Sequence, residues 1–293
     1  MWLAFAFLSA FLLGFYDVCK KTALKGNAVI PVLFLNTLFS TFIFAPYILS
    51  SEIPVTWEVH KFIILKSCIV LSSWIFGYFA MKHLPITIVG PINATRPVMV
   101  LVGAMLIFGE QLNVYQWIGV LLAIVSFFLL SVSGKKEGID FRHDRWIYCI
   151  ILAAILGAVS GLYDKFLMAS DSEGGIGLSP LDVQSWFNFY QCIMMGIIMC
   201  WLWWPVRKKS TPFHWSWSIP LISIFLAAAD ACYLYSLSHQ GAMISIVSMV
   251  RRGSVLISFF VGAMVFREKN LRAKAFDLFL ILLSMIFLWL GSH

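Results

Sequence analysis

Four ionisable residues stand far from either end of long apolar runs: Arg96, Asp230, Arg251 and Arg252. A charge at mid-depth in lipid is costly and by default marks a functional site. Arginine cannot shed its proton to escape that cost, and from mid-run it cannot reach a head group. These cations must face a wet cavity, a carboxylate or a substrate anion. Three cations stand against one carboxylate, Asp230, which can orient or neutralise one of them. The remainder favours an anionic substrate, because the guanidinium fork matches carboxylate and phosphate oxygens. The other reading locks the arginines to Asp230 and to backbone carbonyls. Pro91 and Pro97 flank Asn93 and Arg96, and Gly253 follows Arg252. Proline removes an intrahelical hydrogen bond and frees a carbonyl, which lipid tolerates only where neighbours or cavity water satisfy it. Each basic site is thus expected beside a helix break, where Asn93 is a further candidate substrate contact.

The elements that must hold these groups are membrane-spanning helices. The chain has 293 residues, 61% apolar and 12% charged, with mean hydropathy +0.89. A soluble domain carries about 25% charged residues, so a soluble enzyme and a nucleic-acid-binding module are excluded first. The net charge of +7 matters less than where it falls. About 20 apolar residues span a bilayer, and ten such runs are expected, at 2–24, 29–49, 62–80, 86–108, 114–132, 146–168, 181–204, 219–237, 242–266 and 273–290. The connections leave no room for a soluble domain, and no phosphate-cradling G-x-x-x-x-G-K-[ST] loop occurs. The first residues lack a basic region and a small-residue cleavage site, so no cleavable signal is expected. The six cysteines form no C-x-x-C pair and read as small apolar filler. No cofactor and no metal site is expected.

The chain reads as two copies of five helices. Gly-x-Tyr-Asp ends both AFLLGFYD (10–17) and GAVSGLYD (157–164), 147 residues apart. Asn36 pairs with Asn188, His83 with His239, Arg96 with Arg252, and GAMLIFGE (103–110) with GAMVFRE (262–268). Five is odd, so the second copy must enter from the opposite side, as in the inverted repeats of secondary transporters. The expected fold is all-α and integral to the membrane, with ten transmembrane helices as two inverted repeats, residues 1–140 and 141–293. Of the 21 Lys and Arg, fifteen fall at span ends on one side and two, Lys61 and Lys66, on the other; Arg96, Lys165, Arg251 and Arg252 lie inside spans. The positive-inside rule then puts both termini outside.

The repeat adds candidates. Tyr16 with Asp17, and Tyr163 with Asp164, sit about a turn from opposite ends of the pathway. They could gate it, the aspartates carrying protons or closing salt bridges; equally, they could anchor at the interface beside Lys20, Lys21 and Lys165. Trp74 aligns with Asp230 and could stack on substrate or simply pack. Asn36 and Asn188 could bind substrate or join helices. His83 and His239 are expected to be solvated, Glu110 and Glu268 to cap helices, and the small pairs Ala10/Gly14 and Gly157/Gly161 to allow close packing.

The segment FGEQLNVYQWIGVLLAIVSFFLL (108–130) resembles the drug/metabolite transporter superfamily, EamA type, most specifically at Gly109, Glu110, Leu112, Gln116, Trp117 and Gly119. The second copy departs from it at Arg267 and Asp277. The resemblance covers essentially the whole chain and implies a ten-helix transporter; members often have cytoplasmic termini, the reverse of the charge count here. The order of basic residues also resembles the triose-phosphate/phosphate translocators. That likeness implies a phosphate grip by a basic residue on helix 4, here Arg96, and an adjacent pair on helix 9, here Arg251 and Arg252.

The function expected is secondary transport of a small organic anion, phosphorylated or carboxylated, by alternating access. An exporter of amino acids or drug-like metabolites is the alternative. A membrane enzyme acting on lipid-linked phosphate would want a nucleophile or metal cluster beside the arginines, and the sequence offers none. The partners expected are a small molecule and the lipid bilayer, with no nucleic acid, in a monomer or homodimer of a bacterial inner membrane.

Overall fold

The structure is a computed structural model. It describes residues 2–49, 57–108, 113–135, 141–168, 175–209, 211–237, 250–266 and 271–291. The helices are α1 Trp2–Leu24, α2 Val29–Leu49, α3 Trp57–His83, α4 Ile86–Ala94, α5 Arg96–Phe108, α6 Val114–Lys135, α7 Arg145–Met168, α8 Pro180–Ile198, α9 Ser218–Leu237, α10 Ser254–Met264 and α11 Leu271–Leu290. Val29–Leu49, Trp57–His83, Arg145–Asp164 and Leu181–Trp203 are each long and apolar enough to cross a membrane. They are apolar on every side, as helices buried in lipid or in a core are, and large side chains such as Phe128, Trp201 and Phe279 point outward. The fold is an all-α integral membrane protein.

Helix boundaries follow local chemistry. At the start of α6 the Asn113 side chain accepts from the Gln116 amide (2.9 Å), and the Gln116 side chain accepts from the Asn113 amide (3.0 Å). This reciprocal capping box satisfies two otherwise orphaned donors. The cap of α6 is therefore Asn113; Glu110 and Glu268, expected to cap, lie outside the described residues, as does His239. α3 begins at Trp57, five residues before the expected span, because the polar Glu58 and His60 are accommodated. Glu58 sits in the first turn, where an acid complements the helix dipole, and His60 meets the Tyr190 hydroxyl at 2.7 Å. Lys66 consequently lies in the third turn of α3 and is buried, where the charge count had placed it at a span end. Lys20 and Lys274 are buried too. Without these three the bias is thirteen to one, so its direction stands. At the other end of α3, Lys21 donates to the carbonyls of Met81, at 2.7 Å, and Leu84, a basic group where the dipole favours it. His83 stacks on Trp146 with ring centroids 3.6 Å apart.

The main helix pairings join the first half of the chain to the second: α1 with α9, α3 with α7, α2 with α8, α6 with α11 and α4 with α10. Small residues and hydroxyls make these approaches possible. Ser9 donates to the Ala229 carbonyl (2.6 Å) and Ser73 to that of Ala153 (2.7 Å). Ser126 of α6 donates to the Asp277 carbonyl and Ser284 of α11 to that of Gly119, both at 2.7 Å. The later residue number rises as the earlier one falls, so the two helices run antiparallel. Asn36 is buried and receives the Ser223 hydroxyl (2.9 Å), while Asn188 donates to the Gln184 carbonyl within its own helix (2.8 Å). The main core is built from α1, α2, α3, α4, α7 and α9. It packs around the breaks that carry the arginines.

Candidate functional site: a charged cavity at the helix breaks

The span that holds Arg96 is broken. Pro97 has no N–H to give to the Asn93 carbonyl, so α4 stops at Ala94 and α5 restarts at Arg96. Thr95 bridges the two with helical backbone angles, and its hydroxyl and amide both return to the Ile92 carbonyl (2.7 and 3.2 Å). The second break follows Arg252. Gly253 closes a turn onto the Val250 carbonyl (2.9 Å) and α10 restarts at Ser254. Both breaks hold their arginines at the wall of one cavity of about 350 Å³.

Each remaining wall is one helix face. α3 offers Lys66, Ser73, Trp74 and Gly77; α1 offers Tyr16, Asp17 and Lys20; α9 offers Asp230 and Tyr233; α7 offers Ser160 and Asp164; α8 offers Gln184 and Phe187. Apart from the adjacent pairs Tyr16/Asp17 and Ser73/Trp74, these are intervals of three, four and seven residues, the spacing of one helical stripe. Nine of the ten residues singled out from sequence line this cavity: Arg96, Arg251, Arg252, Asp230, Asn93, Trp74, Asp17, Tyr16 and Asp164. Tyr163 does not. Its hydroxyl donates to the Phe62 carbonyl (3.3 Å) and its ring lies on Phe166, one helical position away from the stripe that carries Asp164.

Lys20, Lys66, Gln184 and Tyr233 are among the lining residues that sequence reasoning did not assign to the site. A helical stripe drawn through Trp74 would have found Lys66, eight residues earlier on the same face of α3. Lys20, seen only as a possible partner of Asp17, lies three residues after it on the α1 stripe.

The cavity's charges are five basic groups and three carboxylates. Arg251 and Asp230 form a salt bridge, with side chains 18% and 16% exposed. The second Asp230 oxygen receives Gln184 at 3.2 Å, and the Arg251 guanidinium lies over the Tyr233 ring at 4.4 Å. Lys66 binds Asp164 at 2.5 Å and lies over Phe187 at 4.8 Å. Lys20 is held between the rings of Tyr16 (5.3 Å) and Tyr78 (4.2 Å), and Asp17 accepts from Ser258 (3.3 Å). Arg96 meets no carboxylate within salt-bridge distance among the described residues. It reaches the Ala153 carbonyl at 3.4 Å, and its buried Nε has no partner there. Arg252 has neither a hydrogen bond nor a carboxylate within that distance among the described residues. At both ends of the cavity a buried lysine stands beside a half-buried aspartate: Lys66 with Asp164, and Lys20 with Asp17.

Comparison with known proteins agrees with this architecture. Residues 1–132 match the EamA-like transporter family. A curated relative from Archaeoglobus fulgidus, an uncharacterized transporter, is 27% identical over 157 residues, which are 53% of this chain. The match spans 55% of that relative's length. A solved crystal structure superposes with a TM-score of 0.62 over 97% of this chain and 94% of its own, at 14% identity; at that identity the likeness is one of fold. Over residues 1–132 the chain is similar to the EamA-like transporter family, and its long apolar helices are those of an integral membrane protein.

Proposed function

We propose that the protein is a secondary transporter of a small organic anion, a phosphorylated or carboxylated metabolite, working by alternating access. The observation that carries this reading is the cavity's charge. Two of its three carboxylates are engaged by Arg251 and Lys66, the third, Asp17, is shared with Lys20, and Arg96 and Arg252 face the cavity with no carboxylate within salt-bridge distance among the described residues. Removed from water and unpaired, two cations would be strongly unfavourable; a doubly charged anion offsets them. Arg96 and Arg252 bind that anion, Asp230 holds Arg251 in place, and Asn93 and Trp74 contact the rest of the substrate. About 350 Å³ lies in the usual range for small-ligand sites.

The chain is read as two inverted five-helix units, 1–140 and 141–293. The reciprocal Ser126–Asp277 and Ser284–Gly119 bonds support this, because both the two serines and the two acceptors are 158 residues apart. Alternating access is then the rocking of one unit against the other around a fixed site. Burial at Tyr16, Lys20 and Tyr78 supports closure at the Asp17 end; Lys20–Asp17 and Lys66–Asp164 are the two gates, the second, an ion pair here, at the end that carries the termini. By the charge bias that end faces outward. A second reading, export of amino acids or drug-like metabolites, is favoured by the aromatic lining of Trp74, Phe187 and Tyr233.

The test is a thermal-shift screen of purified protein against phosphorylated metabolites, dicarboxylates and amino acids, with Arg252→Ala alongside. A ligand at a hundredfold its Kd adds about 2.7 kcal/mol of stability. Stabilisation by one anion class, abolished in Arg252→Ala, is expected. Stabilisation by zwitterionic or neutral compounds that survives the substitution would overturn the anion site and leave the exporter reading.

A further inference from the structure

We propose that Gly157 of α7 is a positioning residue for Arg96: the missing side chain at 157 is the seat on which the guanidinium lies flat. A Cβ built at Gly157 would stand 2.7 Å from Arg96 Cζ, 2.8 Å from Nη1 and 2.9 Å from Nε, where ordinary contact begins at 3.4 Å. Three atoms of the guanidinium plane thus rest against bare backbone. One turn earlier on the same helix, the Ala153 carbonyl receives Arg96 Nη2 at 3.4 Å. Ser73 of α3 donates to that same carbonyl at 2.7 Å, which fixes α7, and so the seat, against the cavity wall.

The other small residue of the pair behaves differently. A Cβ at Gly161 would meet only Val100, at an ordinary 3.7 Å. The Gly157/Gly161 pair therefore combines a packing glycine with a functional one. The first copy has Ala10 at the place of Gly157, 147 residues earlier, and Arg252, the counterpart of Arg96, has no hydrogen-bond partner among the described residues. Among the described glycines, Gly157 has the Arg96 guanidinium against it and none has that of Arg252. A seated guanidinium has already lost most of its rotamer freedom, so less is lost when an anion binds.

The proposal rests on the reading of Arg96 as an anion contact, and the experiment separates the two. Purified wild type, Gly157→Ala, Gly161→Ala, Arg96→Ala and Gly157→Ala/Arg96→Ala are titrated with inorganic phosphate and with succinate. In parallel, the rate at which phenylglyoxal modifies Arg96 is read by peptide mass spectrometry, with Arg252 of the same molecule as reference.

Gly157→Ala is expected to weaken anion binding about ten- to a hundredfold, the scale of a displacement near 1 Å. Its Tm should not fall below wild type, since alanine suits a helix better than glycine and Arg96 alone has to move. Its Arg96 should be modified several times faster relative to Arg252. Gly161→Ala should bind as wild type does, and Gly157→Ala should have no further effect once Arg96 is alanine. An unchanged Arg96 modification rate in Gly157→Ala overturns the seat. So does an affinity loss of equal size with and without Arg96. Wild-type binding by Arg96→Ala, or no binding of either anion by the wild type, removes the anion reading instead, and the modification rate still decides whether Gly157 seats Arg96.

Discussion

Substituting Asp230 by asparagine should destabilise the protein while strengthening its hold on anions. The carboxylate accepts from Arg251 on one oxygen and from Gln184 on the other, at 3.2 Å. Both partners of the ion pair are more than four-fifths buried. A surface pair would contribute about 0–1 kcal/mol, whereas removing one partner of a buried pair costs about 3–5 kcal/mol because the other charge is stranded. Arg251 keeps part of its support, since its guanidinium lies on the Tyr233 ring, a contact that contributes about 0.5–2 kcal/mol. The residual exposure and that ring contact bring the expected coupling between Asp230 and Arg251 to about 2–3 kcal/mol. The assay is a double-mutant cycle of Asp230→Asn, Arg251→Met and the double variant, followed by unfolding in detergent. The double variant, with no stranded charge, should recover most of what Asp230→Asn loses. In the same samples phosphate should bind Asp230→Asn more tightly than wild type, because a third uncompensated cation then faces the cavity. A coupling below about 0.5 kcal/mol, or weaker phosphate binding, would refute the view of Asp230 as the group that neutralises Arg251.

Two further outcomes are expected. Asn113→Ala removes one side of the α6 capping box and should cost about 1 kcal/mol of stability, read by the same unfolding assay, with transport unchanged because the box is remote from the cavity. In a variant lacking the six native cysteines, Asp164→Cys should react with a membrane-impermeant thiol reagent applied from the face that carries the termini. Lys20→Cys, enclosed between two tyrosine rings, should resist it until substrate turnover exposes that end; equal labelling of the two would contradict closure at the Lys20 end.

The sequence made legible whatever was expensive in lipid or repeated. Arg96, Asp230, Arg251 and Arg252 stood out because apolar runs have no ordinary use for charge, and the structure brings all four to one cavity. The proline break at Arg96 was readable from the missing N–H alone. Less legible was anything that depends on how one helix faces another. Lys66 looked like a span-end charge because it is close to the start of an apolar run, and only the register of α3 against α7 reveals Asp164 as its partner. Tyr163 looked equivalent to Tyr16, yet the two point to different surroundings because the helices packed against α1 and α7 differ in sequence. Gly157 was read as a packing residue, since nothing in the chain near it names the arginine 61 residues earlier that lies against it. Pair contacts across the fold leave no mark on either partner alone.

The α6–α11 seam has the form of an isologous dimer interface, in which one patch meets its own copy about a two-fold axis. In a true homodimer every substitution falls on both sides of such an axis at once. Within a single chain it falls on one. Position 119 is a glycine packed against Leu288, and its counterpart 277 is a buried aspartate three residues from the buried Lys274. Trp74 and Asp230 part in the same way within the cavity. A seam of this form within one chain can thus hold an asymmetric set of charges, and Arg96 and Arg252 meet different surroundings and need not act alike.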